Sequence, residues 1–140
     1  LLVGDGEFRN DLKRLVNNLN LQNRVYFLGI RLDVPVLMKS SDIVIISSHW
    51  EGMPLSVLEG MAVEKPVVAS NVPGVFQLVD GVGILFEKSN EKELAAKIQV
   101  LLNDKIYYNK IALAGLARAK QYDINSMVDK QIELYNGLLK

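Results

Sequence analysis

Five short apolar runs rich in β-branched residues, at 1–3, 25–28, 43–47, 67–70 and 84–86, recur along the chain with helical segments between them. Runs that are continuous rather than alternating suit strands covered on both faces. Between the first two runs, Phe8, Leu12, Leu15, Val16 and Leu19 recur at helical spacing while Arg9, Asp11, Lys13 and Arg14 face away, and Asn20 and Asn23 close the segment. A shorter helix is expected over 36–40, a clear one over 54–63 ending before Lys65-Pro66, and a brief turn over 75–79. The last third changes character, with three helices over 91–102, 105–121 and 125–139 and no strand between them. Strands alternating with helices predict an α/β fold: a Rossmann-like parallel sheet of about five strands with flanking helices and right-handed crossovers, binding ligands at the carboxyl ends of its strands. No repeat or linker interrupts the pattern, so 1–140 is expected to be a single domain.

The 140 residues are 49% hydrophobic, carry 16 basic and 16 acidic side chains, and include no cysteine. That length permits a real core without cross-links. Disulfides and thiolate zinc sites are excluded, which suits a reducing compartment, here the cytoplasm. Balanced charge argues against a nucleic-acid partner. No apolar run approaches the roughly 20 residues of a membrane span. The chain opens on Leu1-Leu2-Val3, inside an expected strand and without methionine, so a piece of a longer protein is expected.

Gly4-Asp5-Gly6 follows a strand and opens a helix, where glycines let backbone approach phosphate. As a dinucleotide fingerprint it fails, because Arg9 occupies the third glycine position and Gly29, not an acidic residue, follows the second strand. A tight strand-to-helix turn is its alternative.

The segment 47–59 carries more. It leaves a strand end, passes through Gly52 and enters a helix with Pro54 expected at the first helical position. The free amides of Leu55 and Ser56 then lie at a helix start, where unpaired donors and the positive end of the macrodipole make an anion site. Glu51 precedes this helix and Glu59 lies within it; ionised carboxylates accept hydrogen bonds from neighbouring hydroxyls, so diols are suitable partners. The alternative is that Glu51 caps the helix dipole and Glu59 is a solvated helix residue.

Glu51-Gly52 through Glu59 resembles the E-x7-E signature of retaining glycosyltransferases of the GT-B architecture, family 4 in particular. Leu2 to Gly6, Val25 to Gly29, Ser41-Asp42-Ile43, Glu59 to Ala62, Lys65 to Ser70, Gly83 to Phe86 and the closing stretch from Tyr122 to Lys140 are similar to that family's C-terminal domain in order and spacing. Essentially the whole chain is covered.

The resemblance implies donor binding. Glu51 would face the hydroxyls of the transferred sugar as the catalytic carboxylate, and Glu59 would bind the nucleotide's ribose. The backbone of Gly52, Met53 and Pro54 would lie along the sugar, with Leu55 and Ser56 against the diphosphate. Gly29, Ile30 and Arg31 resemble the segment that holds the base, where Arg31 could stack on uracil; a solvated loop cation is the alternative. Met53-Pro54 departs from the commoner Phe-Gly, which bears on the donor sugar. The donor expected is a nucleotide-sugar, a UDP-sugar above all, used in polysaccharide or glycoconjugate assembly, with no cofactor and no metal. The alternative function is a flavodoxin-like nucleotide-binding or signalling module without sugar transfer. His49 stays outside the catalytic set, Asp42 reads as a turn residue, and Tyr107, Tyr108 and Tyr135 read as helix packing.

The resemblance also implies what is missing: a first strand-helix unit whose Arg and Lys grip the diphosphate, and an N-terminal acceptor-binding domain. Without those cations this stretch alone is expected to be inactive. Through the absent domain the enzyme would reach the inner face of the membrane, and surfaces exposed by truncation could support a dimer. The missing strand is the central one of the order 3-2-1-4-5-6, and closing the gap would put Val3 beside Val44 in the flavodoxin-like order 2-1-3-4-5; the alternatives are that a second chain fills the gap or that the missing unit lies outside these 140 residues.

Overall fold

The computed structural model describes residues 1–138. Two compact units make up the chain, Leu1–Val34 and the stretch from Pro35 onward.

The first unit is a β-α-β element. Strand β1 (Leu2–Val3) pairs in parallel with β2 (Phe27–Gly29), and helix α1 (Arg9–Asn18) crosses between them. Amides of Leu2 and Gly4 extend the ladder to the carbonyls of Tyr26 and Gly29, each at 2.8 Å. Helix α1 ends where Asn20 turns left-handed at φ 55°, so the amides of Asn20 and Leu21 reach back to the carbonyls of Asn17 and Val16. This is a Schellman closure, with asparagine in the position that glycine most often fills. The apolar stripe expected of α1 stays largely open: Phe8, Leu12, Leu15 and Leu19 are all exposed, because a two-stranded sheet offers too little surface to cover it.

The second unit begins with α2 (Val34–Ser40), which starts at the boundary. Strand β3 (Val44–Ile46), helix α3 (Leu55–Ala62), β4 (Val67–Ser70), α4 (Val75–Val79) and β5 (Ile84–Phe86) follow in strict alternation. The parallel sheet has the order β3-β4-β5, with Val44 opposite Val67 and Val68 opposite Ile84. Then come α5 (Glu91–Asn103), α6 (Lys105–Ala119), a 3-10 turn (Lys120–Tyr122) and α7 (Ile124–Leu138). The expected helix end at Leu139 lies outside the described residues.

All four residues of β4 are buried, which is why its sequence is a run without alternation. Val67 and Ala69 pack with Val57 and Met61 of α3 and with Val75, Leu78 and Val79 of α4. Val68 packs on the other face with Ile84, Phe86, Leu101 of α5 and Ile111 of α6. Helix α6 meets α3 where Gly115 leaves room for the Met61 side chain; an added Cβ there would lie 3.1 Å from Met61 Cγ. Asn90 and Asp104 cap α5 and α6 by accepting from the amides of Glu93 and Tyr107. Helix α3 closes as α1 does, with Glu64 at φ 59° and the amides of Glu64 and Lys65 on the carbonyls of Met61 and Gly60. Pro66 then begins the next strand's approach.

Two expectations need correction. The five strands form two parallel sheets, not one: β1 pairs with β2, β3 pairs with β4, and Val3 does not join Val44. The flavodoxin-like closure is therefore not formed: β1 has β2 as its partner, and β3 has β4. Tyr107 and Tyr108 do pack, beside the cluster around Leu101. Tyr135 does not: it is 60% exposed on α7, whose Ile124, Met127, Val128, Ile132 and Leu134 are exposed as well.

Candidate functional site

In a parallel sheet the loops that follow the carboxyl ends of the strands share one edge, where ligands of open α/β folds bind. On that edge the second unit places residues 47–54 after β3 and 71–74 after β4. The first of these loops holds most of the residues singled out from sequence.

Glu51 is half-buried and its Oε1 accepts a hydrogen bond from the Ser48 hydroxyl at 2.7 Å. Ser48 is anchored in turn, because the buried Ser70 hydroxyl at the end of β4 donates to the Ser48 carbonyl. From the opposite side Gly74 presses on the turn. It sits at φ 82°, and a Cβ built on it would lie 2.9 Å from the Gly52 carbonyl carbon and nearer still to the carbonyl oxygens of Glu51 and Gly52. The carboxylate therefore stands on a loop held from within by Ser48 and gripped from outside by the strand-end Ser70 and the start of α4.

Pro54 proves to be the N-cap of α3, in extended conformation at ψ 107°, rather than its first helical residue. The shift of one position arises because the extended ψ at Pro54 turns the chain into the helix only at Leu55. Leu55 and Ser56 become the first two helical residues, and among the described residues their amides have no hydrogen-bond partner; the Val57 amide already bonds the Pro54 carbonyl at 3.1 Å. No side chain caps this helix. Glu51 is thus not a cap: its carboxylate is engaged by Ser48.

Glu59 lies four residues beyond Leu55, about 6 Å along the axis at 1.5 Å per residue. It is exposed, and among the described residues its carboxylate makes no hydrogen bond or ion pair. Gly52 and Met53 are exposed on the same loop, as are His49 and Trp50, the indole at 81%. Two carboxylates, one held and one open, therefore flank a start of helix with free donors. Such a set can take an anion between two hydroxyl-bearing groups.

Gly29, Ile30 and Arg31 belong to the first unit. Gly29 ends β2 at φ 66°, and Ile30 is 81% exposed. Arg31 is engaged: its Nε and Nη2 donate to the two carboxylate oxygens of Asp33 at 2.8 and 2.7 Å. This fork holds the Asp33 carboxyl below its ordinary range and raises the guanidinium's affinity for its proton. In the Gly4-Asp5-Gly6 turn, Asp5 accepts from the Gly6 amide at 2.8 Å and from Arg9, and these bonds lower its pKa. The turn is closed internally, as the structural alternative to a phosphate loop requires. Asp42 sits in the bend before β3, and its carbonyl accepts from the Tyr108 hydroxyl at 2.7 Å.

Ser48, Ser70 and Gly74 escaped the sequence reading as functional candidates. A hydroxyl closing the apolar run 67–70 and the Pro73-Gly74 pair just after it were the available signals.

Residues 1–118 match the sequence model of a family described as glycosyl transferases group 1. The chain is 33% identical over 138 residues to the UDP-Gal:alpha-D-GlcNAc-diphosphoundecaprenol alpha-1,3-galactosyltransferase of Escherichia coli, covering 96% of this chain and 36% of that enzyme. It is also 33% identical over 118 residues to the N,N'-diacetylbacillosaminyl-diphospho-undecaprenol alpha-1,3-N-acetylgalactosaminyltransferase of Campylobacter jejuni, covering 83% of this chain and 31% of that enzyme. Among solved structures, Anabaena HepE in complex with UDP and glucose superposes with a TM-score of 0.91 at 32% identity, over 97% of this chain and 40% of HepE. The chain thus spans well under half the length of each of these three proteins.

Proposed function

The chain belongs to the glycosyl transferases group 1 family, and from that membership we propose that it forms the donor-binding part of a retaining glycosyltransferase that uses a UDP-sugar. The observation that carries the reading is the loop from Ser48 to Ser56, which sets a held carboxylate and two free helix-start amides within one segment.

In this reading the diphosphate sits against the Leu55 and Ser56 amides, where a partial positive charge is fixed by the helix and requires no reorganisation when the leaving group gains charge. Glu59, open and unpaired, accepts from the ribose hydroxyls. Glu51 accepts from the hydroxyls of the transferred sugar, whose ring lies along the backbone of Gly52, Met53 and Pro54. The family resemblance assigns Gly29, Ile30 and Arg31 to the base, and the Arg31 guanidinium is fixed by Asp33. No resident metal or other cofactor enters the scheme. The acceptor and the second cleft wall come from an N-terminal domain of the same enzyme, and the acceptor is a glycan or glycoconjugate. The relatives that act on diphosphoundecaprenol-linked sugars favour such an acceptor, and HepE, crystallised with UDP and glucose, favours uridine as the base. Among the described residues no helix is long and apolar enough to cross a membrane.

The test is calorimetric titration of the full-length protein with UDP and with UDP-sugars. UDP should bind, and Glu59→Ala should weaken it by about tenfold or more, as expected when a charge-assisted pair of hydrogen bonds is removed. Absence of UDP binding, or binding indifferent to Glu59→Ala, rejects the reading.

A further inference from the structure

We infer that Ser48 is a positioning residue for the donor sugar: its hydroxyl fixes the rotamer of Glu51, and Ser70 fixes Ser48. The inference rests on the assignment of Glu51 to the sugar and adds to it the device that aims the carboxylate.

An ionised glutamate on a loop has three rotatable side-chain bonds and a preference for water. Ordering it without a partner gives up that rotamer freedom with nothing gained in return. Here one oxygen, Oε1, is taken by the Ser48 hydroxyl at 2.7 Å, and no other described side chain or amide donates to the carboxylate. The second oxygen is left to accept from a ligand. A neutral hydroxyl suits this task better than a cation, because it orients the carboxylate without neutralising the charge that attracts sugar hydroxyls.

Ser48 itself lies past the end of β3, where chain ends are free to swing. It is tied down across the sheet edge: Ser70, 1% exposed and the last residue of the central strand, donates its hydroxyl to the Ser48 carbonyl. Ser70 is held on its far side by pairing with Phe86 of β5. A rigid central strand thus aims the carboxylate through two hydroxyls in series, which is the arrangement of supporting contacts that binding groups need to hold their geometry. Among the described buried residues of this unit Ser70 is the polar exception, and the link to Ser48 accounts for it.

The discriminating readout is the affinity for UDP against that for a UDP-sugar, since Ser48 acts on the sugar end alone. The full-length protein is titrated with UDP and with whichever of UDP-glucose, UDP-galactose and UDP-N-acetylglucosamine it binds best. Ser48→Ala should weaken the UDP-sugar by about tenfold and leave UDP within twofold of wild type. Ser48→Thr, which keeps the hydroxyl, should restore the UDP-sugar to within about threefold. Ser70→Ala should show the same selective pattern at about threefold, with thermal melts confirming that each variant is folded. Equal losses for UDP and UDP-sugar in Ser48→Ala overturn the proposal, because they mark general damage to the loop. No loss in Ser48→Ala while Glu51→Gln weakens the sugar also overturns it, and leaves the role of Glu51 standing. If Glu51→Gln itself leaves UDP-sugar affinity unchanged, the assignment of Glu51 fails and the role of Ser48 falls with it.

Discussion

Replacing Gly74 with alanine tests how the motif loop is held, and the structure fixes the size of the effect. Two terms add. At φ 82° and ψ −52° the backbone occupies a region that residues with a Cβ avoid, at a cost of about 1–3 kcal/mol. The new methyl would also lie 2.9 Å from the Gly52 carbonyl carbon, where carbon atoms ordinarily settle at about 3.5–4.0 Å. Its other neighbours are the carbonyl oxygens of Glu51 and Gly52, so no flexible side-chain end can give way. The turn must retreat by roughly 1 Å, and misplacements of that size cost about 100-fold where a reacting group is positioned. Forced overpacking adds about 1–3 kcal/mol. A loss near 3 kcal/mol, or roughly 10 °C in Tm for a domain of this size, is therefore expected. It should come with at least tenfold weaker UDP-sugar binding. Gly81→Ala is the control: Gly81 has a similar φ of 75° but open space around its missing Cβ, so it bears the backbone cost alone. Thermal melts and calorimetry of both variants decide the matter. If Gly74→Ala is no less stable and binds UDP-sugar no more weakly than Gly81→Ala, contact between Gly74 and the turn does not hold the loop.

Gly52→Ala should separate binding from folding, since a Cβ there meets nothing within 4 Å: Tm should stay within about 2 °C while UDP-sugar affinity falls several-fold. An equal loss of stability would place Gly52 in the scaffold instead. Glu64→Gly should stabilise the protein by about 0.5–1 kcal/mol in denaturant melts, because Glu64 holds the left-handed closing position of α3 at φ 59°. Tyr108→Phe removes the hydroxyl bonded to the Asp42 carbonyl and should cost about 1 kcal/mol at neutral pH. Burial, and to a lesser degree Asp42, raises the Tyr108 pKa above its ordinary 10.0. The native state therefore binds the phenolic proton more tightly than the unfolded chain. Its contribution is fully present below pH 10 and fades as pH rises through the raised native value, so wild type and variant should converge there in melts across alkaline pH.

Most elements were legible because local signals and packing agree. The run 67–70, apolar up to its closing Ser70, proves to be the buried central strand, and Pro54 and Lys65-Pro66 bracket α3 to within one residue. The E-x7-E pair was legible for the same reason, lying on one loop and the helix that follows it. What sequence could not supply depended on tertiary structure. Whether Val3 joins Val44 depends on which strands pair, and spacing along the chain does not encode that. Ser48 gains its role from Ser70, 22 residues away, and Gly74 from a turn more than 20 residues earlier in the chain. Arg31 looked free in the sequence, yet Asp33 two residues on forks to it. Tyr135 has the same chemistry as Tyr108, but only Tyr108 faces a sheet and a carbonyl.

In the proposed function one loop and one helix start receive a nucleoside diphosphate. A crystal structure of the full-length protein with UDP tests it most directly. A phosphate oxygen is expected within about 2.7–3.2 Å of the Leu55 or Ser56 amide nitrogen, and a ribose hydroxyl within about 2.5–3.0 Å of the Glu59 carboxylate. UDP bound elsewhere, with the start of α3 and Glu59 left to solvent, would contradict it.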